Sequence, residues 1–169
     1  LDLNDVKAVF ESLKIVETRF DETHELGKTV TIMMTKDQNP VATSRIFDII
    51  AHHPSDKIGI ILINENSEGG STSENMAWYY DADFEYLNSE KITQIIGGGY
   101  RILDLKVRLL MADIDEHRLA FSHNEIECAD LIDFHRVNHV FILNGTKNID
   151  EAHVIKKRLI ERIKNEVKP

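Results

Sequence analysis

The chain has 169 residues, 42% hydrophobic and 29% charged, with a net charge of −9. This length fits one domain with a sizeable core, the composition argues against extended disorder, and the acidic balance disfavours nucleic acid as a partner. The single cysteine, Cys128, excludes an internal disulfide framework and a cysteine-rich zinc site, and suits a reducing, cytoplasmic setting.

No apolar run reaches membrane-spanning length, and no signal peptide is expected from the opening residues. The first residue is Leu1 rather than Met, which leads one to expect a processed product or an excised fragment of something longer, the fragment being the preferred reading.

Asn4 to Lys14 reads as a helix, with Val6, Val9, Phe10 and Leu13 on one face behind Asp2 or Asn4 as N-cap. Phe20 to Gly27 is polar and is expected to be irregular. Lys28 to Thr35 carries Val30, Ile32, Met33 and Met34 and suits a mostly buried strand. Asn39-Pro40 breaks it, and Val41 to His52 follows as a helix with Ile46, Ile49 and Ile50 inward. Ile58 to Ile63 is apolar on both faces, as in the centre of a parallel sheet covered on both sides. Glu65 to Glu74 reads as a loop, and Met76 to Tyr80 as a third strand or a strand-like turn.

Ile92 to Ile96 is the next strand, closed by Gly97-Gly98-Gly99. A helix from Arg101 to Met111 turns Ile102, Leu105, Leu109 and Leu110 to the core. Glu125 to Phe134 reads as helical, His139 to Leu143 as a last strand, and Asp150 to Val167 as a final amphipathic helix. On that last helix and its tail, Lys156, Lys157, Arg158, Arg162, Lys164 and Lys168 read as dipole and solubility residues. Alternating strands and helices predict a single α/β domain over residues 1–169. The expected architecture is a three-layer sandwich with a mostly parallel, Rossmann-like sheet and helices on both faces.

The segment from Trp78 to Glu85 sets three aromatic residues against Asp81, Asp83 and Glu85. Unpaired carboxylates are costly to bury, so the segment reads as chain leaving the core and presenting acids at an edge. The plain alternative is a strand terminus followed by a solvated helix start. Gly97-Gly98-Gly99 resembles a phosphate-binding turn but lacks the spacing of a dinucleotide fingerprint, and a plain tight turn is the preferred reading. Arg101 puts a cation where the helix dipole disfavours one, which hints at an anionic partner. His52-His53 point in different directions on a helix and make a poor metal pair; no metal site is expected. Cys128 sits among apolar residues and reads as a buried structural thiol.

Several spaced segments together resemble a known family, the C-terminal domain of the Mur-ligase-like (MurT-type) subunit of lipid II isoglutaminyl synthase. Lys36-Asp37-Gln38-Asn39-Pro40 is similar to the family's Lys-Asn-Pro-Ala-Gly, although two residues interrupt it. Ile63-Asn64-Glu65-Asn66 is similar to Leu-Asn-Asp-Asn, and Trp78 through Glu85 to Trp-x-Trp-Asp-x-Asp-Phe-Glu. Gly99-Tyr100-Arg101 with Asp104, Arg108 and Leu109 matches Gly-x-Arg-x-x-Asp-x-x-x-Arg-Leu. Leu143 to Lys147 departs from the closing Leu-Pro-Thr-Tyr-Thr by lacking its Pro and Tyr, which marks a diverged relative.

The resemblance implies the C-terminal part of a longer ATP-dependent ligase that amidates the D-glutamate of a lipid II-type substrate. The ammonia comes from a separate glutaminase subunit of the class I glutamine amidotransferase type. ATP and Mg are implied for the full-length protein and none for this domain alone, which is expected to be inert by itself. The implied location is the cytoplasm or the inner face of the membrane. In this family the ligase subunit supplies the acid that orients the glutaminase histidine; Asp81 is the match and Asp83 the fallback. Lys36, Asn39, Asn64, Trp78, Glu85 and Arg101 are candidates for the nucleotide or substrate cleft. Asp104 and Arg108 are open to the same cleft role, but Arg101–Asp104 and Asp104–Arg108, three and four apart on a helix, read equally as structural pairs; the structural reading is preferred for Asp104–Arg108 and Arg101 is left open. The competing readings are a non-catalytic α/β docking module and a module binding a phosphorylated ligand at Gly97 to Arg101.

Overall fold

The computed structural model describes residues 20–35, 39–63 and 76–166. The helix expected over Asn4 to Lys14, the loop over Glu65 to Glu74, and the candidates Lys36 and Asn64 lie outside the described residues.

Among the described residues, six strands form one sheet: β1 (Phe20–Glu25), β2 (Lys28–Met34), β3 (Ile58–Ile63), β4 (Ile92–Gly98), β5 (Leu119–Ser122) and β6 (His139–Asn144). Their order across the sheet is β1-β2-β6-β3-β4-β5. Only the β1–β2 pair is antiparallel; every other pairing is parallel. Residues of β3 and β6 are buried throughout, which is why their sequences are apolar on both faces.

The alternation of side chains splits the core in two. On one face Ile60, Leu62, Phe141 and Leu143 pack with α1 (Pro40–Ala51), α2 (Trp78–Asp81) and α3 (Ile102–Met111). On the other, Ile61, Ile63, Val140 and Ile142 pack with α4 (Ile149–Glu166) and the 3₁₀ run Glu125–Leu131. Fully burying one such side chain is worth roughly 1.5–3 kcal/mol, so the two apolar faces of β3 and β6 dominate the energetics of this sheet. The three-layer α/β expectation holds.

The departures have local causes. Phe20 to Glu25 is a strand, not an irregular segment. It lies at the edge, alternates between exposed and half-buried, and so carries Asp21, Glu22, His24 and Glu25 where a central strand would carry apolar residues. Its hairpin turn places both Leu26 (φ 46°) and Gly27 (φ 75°) in the left-handed region, the geometry whose twist matches paired strands. Two of the acids of β1 find cations on α4: Asp21 lies 2.6 Å from Lys156 and Glu25 3.4 Å from Lys164. Lys156, expected among solvated residues, is therefore buried and paired.

Met76 to Tyr80 is not a strand. Trp78 and Tyr79 are both buried while Tyr80 and Asp81 face outward, a pattern of helical rather than period-two spacing, and α2 forms there. Glu125 to Leu131 is 3₁₀ rather than α-helical, capped by the Asn124 side chain on the Ile126 N–H. The short strand β5 has no periodic apolar pattern to announce it, and β4 runs on through Gly97 and Gly98 because these pair with Phe121 and Ser122. Ile49 and Leu110, expected inward, are 49% and 40% exposed, and Phe47 and Arg108 take core positions instead.

Candidate functional site

The acidic segment is built by alternation of buried and exposed residues. Trp78, Tyr79, Ala82, Phe84 and Leu87 face the core, and Tyr80, Asp81, Asp83, Glu85 and Tyr86 face out. Ala82 ends α2 by turning to extended backbone (φ −93°, ψ 140°), and a 3₁₀ turn over Phe84–Asn88 follows. The chain thus makes a corner at Ala82 with Asp81 on one side and Asp83 on the other.

Arg108 holds this corner from beneath. It is 5% exposed, and its guanidinium lies 5.0 Å from the centre of the Phe84 ring. Its Nε donates to the Tyr79 carbonyl at 2.9 Å, and its Nη2 to the Ala82 carbonyl and to both Glu85 carboxylate oxygens, each at 2.9 Å. A guanidinium so buried needs acceptors for its donors, and these supply them to Nε and Nη2, with the Glu85 carboxylate as counter-charge. The hydrogen bond from Arg108 holds the Glu85 carboxyl below its usual range. Arg108 therefore does not pair with Asp104, its expected helical neighbour. Asp104 takes Arg101 at 2.7 Å, and that bond lowers its own carboxyl pKa.

The corner is also held from α1. The Asp83 backbone N–H donates to Ser44 Oγ at 2.9 Å, and Ser44 in turn donates to the Pro40 carbonyl at 2.7 Å. The Asp81 and Asp83 carboxylates are exposed and, among the described residues, have no hydrogen-bond or ion-pair partner. With Val41, Ser44, Arg45, Asp48 and Tyr86 they line an open recess of about 250 Å³. Arg45 is 3.3 Å from Asp48, so the one cation of the recess already has a carboxylate of its own.

The remaining sequence candidates divide. Asn39 caps α1, its side chain accepting from the Ala42 N–H at 3.0 Å. Trp78 is 6% exposed and packs edge-on against Tyr79, with its Nε1 buried and without a hydrogen-bond partner among the described residues. Glu85 stands beside Asp83 on the acidic edge but is engaged by Arg108. Arg101 stands at the start of α3 with Asp104 and does not join the acidic segment. Sequence reasoning missed Ser44 entirely and gave Arg108 the wrong partner. The available signal for Arg108 was its place between Leu105 and Leu109 on the buried side of α3.

The glycine run has a packing explanation. A Cβ at Gly97 would meet Phe121 at 2.7 Å and Leu105 at 2.8 Å. Both Gly97 and Gly98 are strand residues rather than parts of an open phosphate-binding turn.

At the start of the central strand β6, His139 is 4% exposed and stacks on Phe141 at 4.0 Å. Thr31 gives its hydroxyl proton to Glu22 at 2.9 Å, so the 2.7 Å contact between Thr31 Oγ1 and His139 Nε2 has the imidazole as donor. Nδ1 is then the acceptor for Ser55 Oγ at 3.3 Å. Burial pushes the His139 pKa down to about 4, so the ring is neutral near pH 7.

A family model described as MurT ligase C-terminal matches residues 37–147. The chain belongs to the MurT ligase C-terminal family. It is 30% identical over 83 residues to the MurT subunit of lipid II isoglutaminyl synthase (glutamine-hydrolyzing) of Staphylococcus aureus (strain COL), covering 49% of this chain and 18% of that protein. It is 27% identical over 139 residues to the same-named subunit of Streptococcus pneumoniae (strain ATCC BAA-255 / R6), covering 82% of this chain and 30% of that protein. The chain thus spans less than a third of the curated relatives it matches. In fold it is similar to the UDP-N-acetylmuramate-alanine ligase MurC of Thermotoga maritima, with a TM-score of 0.63 and 15% identity over 98% of this chain and 34% of that one. The MurF ligase of Thermotoga maritima, solved in complex with ADP, gives a TM-score of 0.57 and 16% identity over 98% of this chain and 34% of that one. Among the described residues of this MurT-type domain, no helix is long and apolar enough to cross a membrane.

Proposed function

We propose that this chain is the C-terminal domain of a longer ATP- and Mg-dependent, glutamine-dependent amidating ligase. Its substrate is a lipid II-type peptidoglycan precursor, whose D-glutamate becomes D-isoglutamine, and it works in the cytoplasm or at the inner membrane face. The partner is a glutaminase subunit of the class I amidotransferase type. In this reading the domain alone is inert, because the nucleotide loop and most of the acceptor site belong to the rest of the ligase chain.

The role assigned to this domain is to lend an acid to the partner. A cysteine-based glutaminase needs a histidine to take the thiol proton, and that histidine needs a third group to fix its tautomer and orientation. The Asp81 carboxylate, accepting the imidazole N–H across the interface, leaves the other ring nitrogen free for the thiol. The observation that carries this reading is the Asp81 carboxylate itself: exposed, without a partner among the described residues, and projecting from a corner tied down by Arg108 and Ser44. Asp83 shares the exposure and is the second candidate.

The test uses the full ligase–glutaminase complex with Asp81→Asn. Glutamine-driven amidation of the lipid substrate should fall by about a thousandfold or more, as when a triad carboxylate is neutralised. Amidation driven by added ammonium salt should stay at the wild-type rate. Equal loss with both nitrogen sources would show that Asp81 serves the ligase site, and the reading would fail.

A further inference from the structure

We propose that Arg108 is a positioning residue for the partner-directed carboxylate. It locks the corner at Ala82 from which Asp81 projects, and so sets the direction in which that carboxylate is offered. This inference rests on the role proposed for Asp81.

An acid that must orient a histidine on another subunit gains nothing from being merely exposed. A misplacement of about 1 Å can cost on the order of a hundredfold in rate, so its backbone has to be held. Asp81 has no side-chain bond of its own among the described residues to hold it, and the holding falls to its neighbours. Two side chains do this from opposite sides. Arg108 takes the carbonyls of Tyr79 and Ala82, the residues two before and one after Asp81, at 2.9 Å each. Ser44 takes the Asp83 N–H at 2.9 Å. The same guanidinium bonds both oxygens of Glu85 and lies over Phe84, which ties the far arm of the corner to the near one.

The choice of arginine has a physical reason. One planar fork reaches two carbonyls and a carboxylate together, whereas a lysine ammonium is a compact point charge on a flexible stem and cannot hold the same three groups in one plane. Glu85 contributes as the outer clasp. It brings the guanidinium's counter-charge to the edge, so that the corner carries two free carboxylates rather than three.

The experiment uses the assembled complex with Arg108→Lys, Glu85→Gln and, as reference, Asp81→Asn. Subunit affinity, glutamine turnover and the pH profile of kcat/KM are measured for each. Arg108→Lys should bind the partner with wild-type affinity and keep the wild-type KM for glutamine, while kcat falls about ten- to a hundredfold. Glu85→Gln should do the same to a smaller extent. In both, the acid limb of the profile should move to lower pH, because an imidazolium without an aligned carboxylate gives up its proton more readily.

A kcat that falls while the acid limb stays in place marks plain loss of folded protein and overturns the inference, as does a fully wild-type profile. Where Arg108→Lys fails to assemble, Glu85→Gln decides, since it leaves the buried guanidinium in place. Unchanged turnover in Asp81→Asn removes the parent reading instead. Full loss in Asp81→Asn beside wild-type profiles in the other two removes only the role of Arg108.

Discussion

A Cβ built on Gly98 falls 2.6 Å from the Sγ of Cys128, closer than any real contact allows. The 3₁₀ run that carries Cys128 therefore lies directly on the backbone of β4, and glycine at 98 is the condition for that approach.

Gly98→Ala should consequently destabilise the domain by about 1–3 kcal/mol, the usual cost of overpacking a close-packed core. Urea unfolding followed by circular dichroism will show this as a lower midpoint with an unchanged slope. A wild-type midpoint would mean that the glycine serves an exposed turn, and the reading of the run as a phosphate-binding site would regain its footing.

Cys128 should be chemically silent. Its side chain is fully buried, and desolvation, with Glu125 nearby, pushes its thiol up to about 12. Only the thiolate is nucleophilic, so an aqueous thiol reagent at pH 8 should not label the native chain and should label it stoichiometrically in denaturant. Rapid native labelling would contradict the packing of the 3₁₀ run on β4.

The neutral His139 gives the domain a pH dependence. Its folded pKa of about 4 lies below the ordinary value of 6.5, so between these the unfolded chain binds a proton that the folded chain refuses. Stability then rises with pH across this window, and the contribution is lost as pH falls from 6.5 toward 4. The full effect is on the order of 3 kcal/mol. His139→Gln should flatten this part of the curve in urea titrations at a series of pH values. The same slope in the variant would assign it to other groups.

How much of this was legible in the sequence depended on how local each cause is. Ile58 to Ile63 declared a central strand because both faces are apolar, and α1, α3 and α4 declared themselves by helical spacing. The edge strand β1 did not. Its Asp21 and Glu25 answer to cations on α4, more than a hundred residues away in the chain, and its local mark is Gly27 at the hairpin. Trp78-Tyr79-Tyr80 carries strand propensity, but packing of the first two residues into the core overrides it. The Asp104–Arg108 pairing failed for the same reason. The spacing permits it, yet a buried guanidinium is claimed by buried carbonyls far away in sequence. The acidic edge itself was legible, because nothing in the core could have absorbed Asp81 and Asp83.

The most direct measurement is glutamine hydrolysis by the assembled complex carrying Asp81→Asn, with Asp83→Asn measured beside it. Asp81→Asn should abolish most turnover while the subunits still associate. Asp83, whose part in the corner is its backbone N–H on Ser44, should tolerate the amide with little change. Wild-type hydrolysis in an intact Asp81→Asn complex would contradict the claim that this domain lends its partner a catalytic carboxylate from Asp81.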